Sequence, residues 1–214
     1  MPDESFTELR GERVVLRRLG WADVAPLVAY RSREPVARYQ SWDAPYPREE
    51  GERLVGQMMT AHPDTAGEWF QFAVALHPAV ALHPAVALHP AETLPGAGPL
   101  IGDCAALTQA DDPRLCEIGF TLAPEHQGRG YATEAVRLLA GYLFGRGKHR
   151  ITATCDARNA ASAAVMERLG MRREGHLRQS TWAKGEWTDD LLYGLLREEW
   201  TKPGTTAGAT AGAS

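Results

Sequence analysis

The feature that most constrains this chain is a segment in which an apolar strand, a turn with two glycines and a helix follow one another directly. Residues 115–122 alternate like a strand, the turn is Gln127-Gly-Arg-Gly-Tyr-Ala132, and helical spacing of apolar residues runs from Tyr131 to Phe144. Because glycine has no side chain, this turn exposes backbone N–H groups where the helix begins. Exposed amides at a helix N-terminus bind anions, so the segment predicts a phosphate-binding site.

Two common phosphate-binding turns fit this segment poorly. A Walker loop requires Lys followed by Ser or Thr after its last glycine, where this chain has Tyr131 and Ala132, so that interpretation fails. A dinucleotide-binding turn requires a third Gly or Ala where this chain has Thr133, and an acidic residue at the end of a second strand. Asp156 lies near the end of the next strand. The dinucleotide interpretation, and with it a Rossmann-type oxidoreductase, is therefore weakened without being excluded.

Several motifs that follow one another in order resemble the GNAT superfamily of acyl-CoA-dependent N-acyltransferases. Gln127, Gly130 and Ala132 fit the family's loop pattern of Gln or Arg, two variable positions, Gly, a variable position, and Gly or Ala. The flanking motifs that share the resemblance are Glu117-Ile-Gly-Phe120, Gly130-Tyr-Ala-Thr-Glu-Ala135, Asn159-Ala-Ala-Ser162, Arg168-Leu-Gly-Met171 and Glu174-Gly175. Together they resemble the branch of Rim-type ribosomal-protein N-terminal acetyltransferases and their small-amine relatives, over roughly residues 10 to 200.

The spacing of apolar residues predicts a single α/β (α+β) domain with a mixed sheet of about seven strands. The predicted strands are 12–19, 69–76, 100–107, 115–122, 151–155, 171–177 and 190–196, and the predicted helices are 21–33, 47–61, 130–145 and 159–169. The resemblance implies that the sheet is mostly antiparallel and has helices on both faces. It also implies that the fourth and fifth strands splay apart and bind the pantetheine arm of CoA through unpaired backbone groups.

The domain boundaries follow from composition and from one tandem repeat. We assign residues 1–9 to an N-terminal extension, 10–200 to the GNAT-like domain, and 201–214, rich in Gly, Ala and Thr, to a disordered tail. The hexapeptide Ala-Val-Ala-Leu-His-Pro occurs three times in succession from residue 73 to residue 90. Removing two copies would leave an ordinary strand and hairpin loop, so residues 77–95 are interpreted as a hairpin insertion whose prolines confine it to a projecting arm or loop.

Neither the histidines nor the cysteines predict a metal site. His77, His83 and His89 would share one face of an extended repeat and could bind zinc or nickel, but sequence expansion alone explains their equal spacing. The three cysteines form no CxxC or Cys/His pair at metal spacing and suit reduced, structural thiols. Some acyltransferases pass the acyl group through a thiol, so Cys116 or Cys155 stays open as a nucleophile.

Charge and hydropathy limit the partners. A net charge of −4 without a block of Lys or Arg argues against nucleic acid and against an anionic membrane surface. The chain has no apolar run of about 18 residues for a membrane span, and Met1-Pro-Asp-Glu-Ser5 lacks the pattern of a signal peptide. We therefore expect a cytoplasmic protein.

The resemblance implies acetyl-CoA as co-substrate. Backbone amides of residues 127–132 would bind its pyrophosphate, Arg129 would add charge at the surface, and Asn159 would lie near the pantetheine arm. The other interpretation is a glycine-rich turn without a ligand. The predicted cofactor-binding residues are Phe120, Thr121, Leu122, Gln127, Gly128, Arg129, Gly130, Tyr131, Ala132, Asn159 and Ser162.

Acyl transfer to an amine also needs a base and a proton for the departing thiolate. Glu117 lies on the strand face opposite Ile118, and the resemblance implies that a carboxylate here reaches the acceptor cleft directly or through water. Burial would have to raise its pKa, and a solvent-facing glutamate remains the alternative. His126 is a rival base that we expect at the surface.

At the position of the usual proton donor, this chain differs from the commonest family pattern. Many members have a tyrosine four residues before the glycine that ends the last helix, where this chain has Met166. The resemblance to the Rim-type relatives implies a different proton donor. In these relatives a serine stands where this chain has Ser162, and its hydroxyl, or a water molecule bound to it, would protonate the CoA thiolate. A serine in the first turn of a helix also satisfies backbone amides, so that structural explanation stays open.

The acceptor pocket is expected near the irregular segment 38–47. The resemblance implies that this region lines the pocket, which makes Tyr39 and Trp42 candidate substrate contacts, although both could simply cover an edge of the core. The implied activity is transfer of an acetyl group to a primary amine, either a protein N-terminus or a small molecule, by direct attack in a ternary complex. The alternative is a non-catalytic acyl-CoA-binding or regulatory module that uses the arm at residues 77–95 for partner contact. A homodimer is compatible with either function.

Overall fold

The framework of the protein is an eight-stranded sheet, seen in a computed structural model that describes Phe6 and residues 8–78 and 98–200. The strands are β1 (Glu8–Arg10), β2 (Val14–Arg18), β3 (Trp69–Leu76), β4 (Leu100–Thr108), β5 (Leu115–Leu122), β6 (Arg150–Asp156), β7 (Arg172–Ala183) and β8 (Glu186–Leu196). The helices are α1 (Val24–Arg31), α2 (Glu34–Ala37), α3 (Arg48–Thr60), α4 (Tyr131–Gly145) and α5 (Ala160–Leu169).

The strand order β1-β2-β3-β4-β5-β6-β8-β7 is antiparallel at every step except between β5 and β6, which run parallel. The parallel register begins at Leu115 with Arg150 and ends at Glu117 with Thr152, so the pairing of these two strands stops after three residue pairs. Beyond Glu117 the strands separate and leave backbone groups of β5 free for another partner. The predicted α/β class and the predicted splay are confirmed, with eight strands in place of about seven.

Helices cover both faces of the sheet. Asp103 of β4 accepts hydrogen bonds from Tyr30 and Arg31 of α1, and all three side chains are buried. Phe72 of β3 is paired with Cys104, the residue of β4 that follows Asp103. Cys104 and Phe72 point to the opposite face of the sheet, where the Phe72 ring packs against Tyr142 of α4. Because successive strand residues alternate between faces, α1 and α4 lie on opposite sides of the sheet.

The domain begins before residue 10. Residues Glu8–Arg10 form the edge strand β1 against β2, and Phe6 is buried with its ring packed on Phe72 and Tyr142. The described part of the predicted N-terminal extension, Phe6 and residues 8–9, therefore contributes to the fold. Three strand residues are too few to show the alternation that a sequence pattern requires, which explains why β1 was missed.

The closing hairpin is longer than predicted. The loop expected between residues 177 and 190 is instead strand, and β7 and β8 are joined by the two-residue turn Lys184-Gly185. A bulge between Leu177 and Thr181, with Gln179 at φ 47°, breaks the alternation of β7. Asp189 accepts a hydrogen bond from the Gln179 N–H at 2.8 Å and so stabilises the bulge.

Part of the predicted insertion lies outside the described residues. The first copy of the repeat enters β3 through residues 73–76. The second and third copies, with His83 and His89, the remainder of the insertion and the tail at 201–214 are not described. None of the described helices is both long and apolar enough to cross a membrane.

Candidate functional site

The glycine turn adopts a conformation that places bare amides at the start of α4. Gly128 and Gly130 have φ values of 71° and 82°, in the left-handed region that favours glycine. Gly130 is the N-cap residue and has no side chain that could cap the helix. The first-turn N–H groups from Tyr131 onward therefore lack an intrahelical acceptor and point out of the helix end. Together with the helix dipole, they make a site for an anion.

This turn borders a cavity of about 640 Å³ that is formed by β5, the glycine turn, α5 and α2. Ten of the predicted cofactor-binding residues line it: Phe120, Thr121, Leu122, Gln127, Gly128, Gly130, Tyr131, Ala132, Asn159 and Ser162. The structure thus brings together residues from three separate stretches of sequence around one groove. The groove follows β5 along the edge that is no longer paired with β6, and it ends at the amides of α4.

Gln127 differs in detail from its predicted role. Its N–H donates to the Pro124 carbonyl at 3.2 Å, and its side-chain amide donates to the Leu122 carbonyl at 2.9 Å. Because the backbone N–H of Gln127 already has a partner within the protein, the amides that are available to a ligand begin at Gly128. Gln127 instead ties the turn to the end of β5.

Arg13 is a residue of this site that the sequence did not reveal. Its guanidinium donates to the Arg129 carbonyl at 2.9 Å and to the Glu134 carboxylate at 2.8 Å, and it lies over the Tyr131 ring at 5.3 Å. Arg129 itself is exposed and meets Arg13 through its backbone. Arg13 therefore lies beside Gly130 as half of an ion pair with Glu134 and fixes one peptide of the turn.

Glu117 lies where β5 and β6 separate. Burial raises the pKa of its carboxyl group above the ordinary value for glutamate. Glu117 shares a strand face with Thr121, which lines the cavity, although Glu117 itself is not among the lining residues. Four residues of extended strand, about 13 Å, separate the two positions, so Glu117 lies outside the cavity, at the start of the splay.

The turn before α5 uses its predicted polar residues partly for structure. Asn159 is the N-cap, and its Oδ1 accepts a hydrogen bond from the Ser162 N–H at 3.1 Å. Both residues also line the cavity, so the structural and the functional explanation apply together. Met166 is fully buried in the core, which means that no side chain at the tyrosine position reaches the groove.

His126 is less exposed than predicted. It lines the cavity beside the glycine turn and is half-buried, and burial lowers its pKa below the ordinary value. Its Nδ1 is buried without a hydrogen-bond partner among the described residues. A neutral imidazole at neutral pH keeps His126 in consideration as the rival base.

The two aromatic candidates for acceptor binding have different surroundings. Tyr39 lines the first cavity and also a second cavity of about 610 Å³. Trp42 lies under a buried cation: Arg31 is 4.2 Å from its ring centroid, and the Trp42 Nε1–H donates to the Arg31 carbonyl at 3.2 Å. Among the described residues, Trp42 lines neither cavity, which favours the structural explanation for it.

The cysteines are poor nucleophiles. Cys104, Cys116 and Cys155 are buried and free. Burial raises the pKa of Cys116 to about 12 and that of Cys155 to about 11, so both thiols keep their protons at neutral pH. This protonation argues against a covalent acyl-thiol step.

Comparison with known proteins agrees with the geometry. The family described as acetyltransferase (GNAT) domain matches residues 13–172. Over 85 residues the chain is 42% identical to the uncharacterized N-acetyltransferase YnaD of Bacillus subtilis, covering 39% of this chain and 50% of that protein. Over 87 residues it is 31% identical to the [ribosomal protein uS5]-alanine N-acetyltransferase of Escherichia coli, covering 40% and 45%. The chain thus spans about half the length of the curated relatives that it matches.

A solved structure extends the likeness to nearly the whole chain. The acetyltransferase (GNAT family) from Bacillus anthracis superposes with a TM-score of 0.73 and 27% identity, over 90% of this chain and all of that chain. The residues that match the family, 13–172, include the splayed strands, the glycine turn and Asn159 at the start of α5. On this match and this fold, the chain belongs to the GNAT acetyltransferase family.

Proposed function

We propose that the protein is an acetyl-CoA-dependent N-acetyltransferase that moves the acetyl group to a primary amine by direct attack in a ternary complex. The observation that carries this proposal is one cavity in which free first-turn amides of α4 meet the part of β5 whose edge toward β6 is unpaired. A diphosphate matches the amides, and an amide-rich arm such as pantetheine matches an unpaired strand edge.

The protein's own groups suit the binding half of the reaction. Amides of residues 128–133 would hold the diphosphate, and Arg13, paired with Glu134, would fix the turn that presents them. The arm would then extend along β5 toward the point where β5 and β6 part. Because the amides are held by the fold, little reorganisation is needed when the ligand arrives.

The chemical half needs one proton removed and one supplied. The amine nitrogen attacks the thioester carbonyl carbon, the carbon–sulfur bond breaks, and the thiolate leaves. Glu117, whose raised pKa makes it a stronger base than an exposed carboxylate, would accept the ammonium proton through water. Ser162, in the cavity wall, would donate a proton to the thiolate directly or through water.

The acceptor's identity belongs to the same proposal. The Escherichia coli relative is named as an enzyme that acts on alanine of ribosomal protein uS5. A protein N-terminus and a small-molecule amine are therefore the two acceptor classes that we propose.

The test is an assay that follows free thiol released from acetyl-CoA in the presence of N-terminal peptides and of small amines. We expect amine-dependent release with at least one class, and a decrease in kcat when Ser162 is replaced by Ala. Tight acetyl-CoA binding without turnover for any amine would support the non-catalytic acyl-CoA-binding module instead. Absence of both binding and turnover would refute the proposal.

A further inference from the structure

The turn at the tip of the β7–β8 hairpin has an unfavourable residue at its first position. Lys184 and Gly185 form a two-residue turn with φ values of 50° and 84°, between the paired residues Ala183 and Glu186. Turns of this kind favour Asn, Asp or Gly, because a positive φ brings Cβ close to the backbone. A lysine here carries local strain, which its contacts elsewhere in the protein offset in part.

Those contacts connect the hairpin to a distant segment. The Lys184 ammonium donates to the Trp42 carbonyl and to the Asp43 carboxylate, each at 2.7 Å. The partners are more than 140 residues away in sequence, in the segment that follows α2. Trp42 is in turn held by the buried Arg31, so one end of this bridge is anchored in the core.

Both charged ends of the bridge, Lys184 and Asp43, line the second cavity. This groove of about 610 Å³ is lined by α2, by the segment after it and by Lys184. It shares Pro35 and Tyr39 with the acetyl-CoA cavity, so the two spaces meet at α2. If the first cavity holds the acyl donor, as proposed above, the second is the route by which an amine approaches.

We infer that the bridge from Lys184 to Trp42 and Asp43 is a wall of the acceptor groove and limits the size of the amine that the protein acetylates. A small amine fits inside the closed groove. An amine that extends away from its reacting end must pass the bridge, and it reacts only when the bridge opens. Lys184 is thus a specificity-determining residue that need not touch the reacting atoms.

The bridge is suited to opening. The Asp43 side chain is 89% exposed, and ion pairs in water are weak because solvent screens both charges. Removing such a pair changes an equilibrium by about two- to fivefold. The expected effect on acceptor choice is of the same size, about two- to fivefold.

Two substitutions at Lys184 distinguish the effect of losing the bridge from the effect of changing the turn. Lys184→Gly removes the ammonium but accepts a positive φ without strain, so the hairpin should fold at least as well as the natural chain. Lys184→Arg keeps the charge and the hydrogen-bond donors. Arg114→Ala is the control, because it removes an exposed ion pair with Asp112 that lies on neither cavity.

The experiment compares kcat/KM for the best small amine with kcat/KM for versions of it extended away from the amino group. Lys184→Gly should raise the ratio of extended to small acceptors about two- to fivefold, whereas Lys184→Arg and Arg114→Ala should leave it unchanged. An unchanged ratio for Lys184→Gly, or an equal loss for all acceptors, would overturn the inference. Failure of the proposed function is distinguishable from this outcome, because the natural chain would then release no thiol with any amine.

Discussion

At the scale of single residues, the proposed anion site depends on Gly130. Its φ of 82° is unfavourable for any other residue, and a Cβ at this position would lie 3.2 Å from Nη2 of Arg13. Both constraints are local, because they come from the turn and from one neighbouring side chain. The site therefore tolerates little change at this position.

Gly130→Asp should abolish acetyl-CoA binding, because it strains the turn, competes for Arg13 and adds a negative charge beside the amides that would hold the diphosphate. Gly130→Ala has the same backbone strain, roughly 1–2 kcal/mol, without the charge, and should retain weakened binding. Isothermal titration calorimetry measures both affinities, and circular dichroism checks the fold. Equal affinity for the Asp variant and the natural chain would contradict the placement of the diphosphate.

Glu117→Gln should lower kcat by about 100-fold, the lower end of what general-base catalysis contributes, with little change in acetyl-CoA affinity. The natural chain should gain activity as pH rises through the raised pKa of Glu117, and the variant should lose this limb of the profile. A matching pH profile in the variant would assign the base elsewhere, with His126 as the next candidate.

The raised pKa of Glu117 also predicts how the stability of the protein changes with pH. Because burial raises the folded-state pKa, the folded protein binds more protons than the unfolded chain between the two pKa values, and stability falls as pH rises through this window. Glu117→Gln should therefore be more stable than the natural chain at neutral pH, and the difference should shrink toward acidic pH. Urea unfolding at several pH values measures this trend, and the opposite trend would be evidence against a buried carboxylate.

Residues of the turn could be predicted from sequence because their constraints are local. Gly128, Gly130 and the start of the helix at Tyr131 follow from glycine's conformations and from helical spacing. The surroundings of Trp42 could not be predicted, because its partner Arg31 is brought to it by the packing of α1. For His126, exposure depends on a cavity that only the folded chain forms.

At the scale of elements, Arg13 connects the turn between β1 and β2 to the glycine turn and α4. Its bond to the Arg129 carbonyl fixes the peptide between Arg129 and Gly130. In a trans peptide the C=O and N–H bonds point in opposite directions, so the Gly130 N–H is turned away from Arg13. This orientation leaves the amide available to a ligand.

Arg13→Ala should weaken acetyl-CoA binding about tenfold, the effect of losing one hydrogen bond to a charged group, while kcat at saturation changes little. Arg13→Lys should recover part of the affinity, because one ammonium can replace one of the two contacts. Arg10→Ala, which removes an exposed ion pair with Glu8, is the matched control and should bind normally. A uniform loss of kcat and stability without a change in KM would assign Arg13 to folding alone.

Elements differ in how far the sequence predicts them. Helix α4 and strand β5 were predicted because each has many residues with one clear period. Arg13 lies 116 residues from Arg129, and no local pattern shows such a contact. The long hairpin was missed because the bulge in β7, at residues 178–180, is polar and so is Asp189 of β8, which bonds to it, and such a polar stretch resembles a loop.

At the scale of the whole molecule, the site exists only where distant segments meet. The groove joins β5, the glycine turn, α5 and α2, and the second cavity adds the tip of the β7–β8 hairpin. Element order predicted the mixed sheet, but the splay of β5 and β6 came from the family resemblance, because periodicity carries no information about which strands stop pairing. The shape of the proposed acceptor route depends on the same tertiary arrangement.

The central claim is that backbone amides at the start of α4 hold the diphosphate of acetyl-CoA, and a titration followed by ¹⁵N–¹H NMR tests it most directly. We predict that the amide signals of Gly128, Gly130 and Tyr131 shift most and saturate together as acetyl-CoA is added. The Gly130→Asp variant should show no such shifts. Saturable binding that leaves these three amides unmoved in the natural chain would contradict the account.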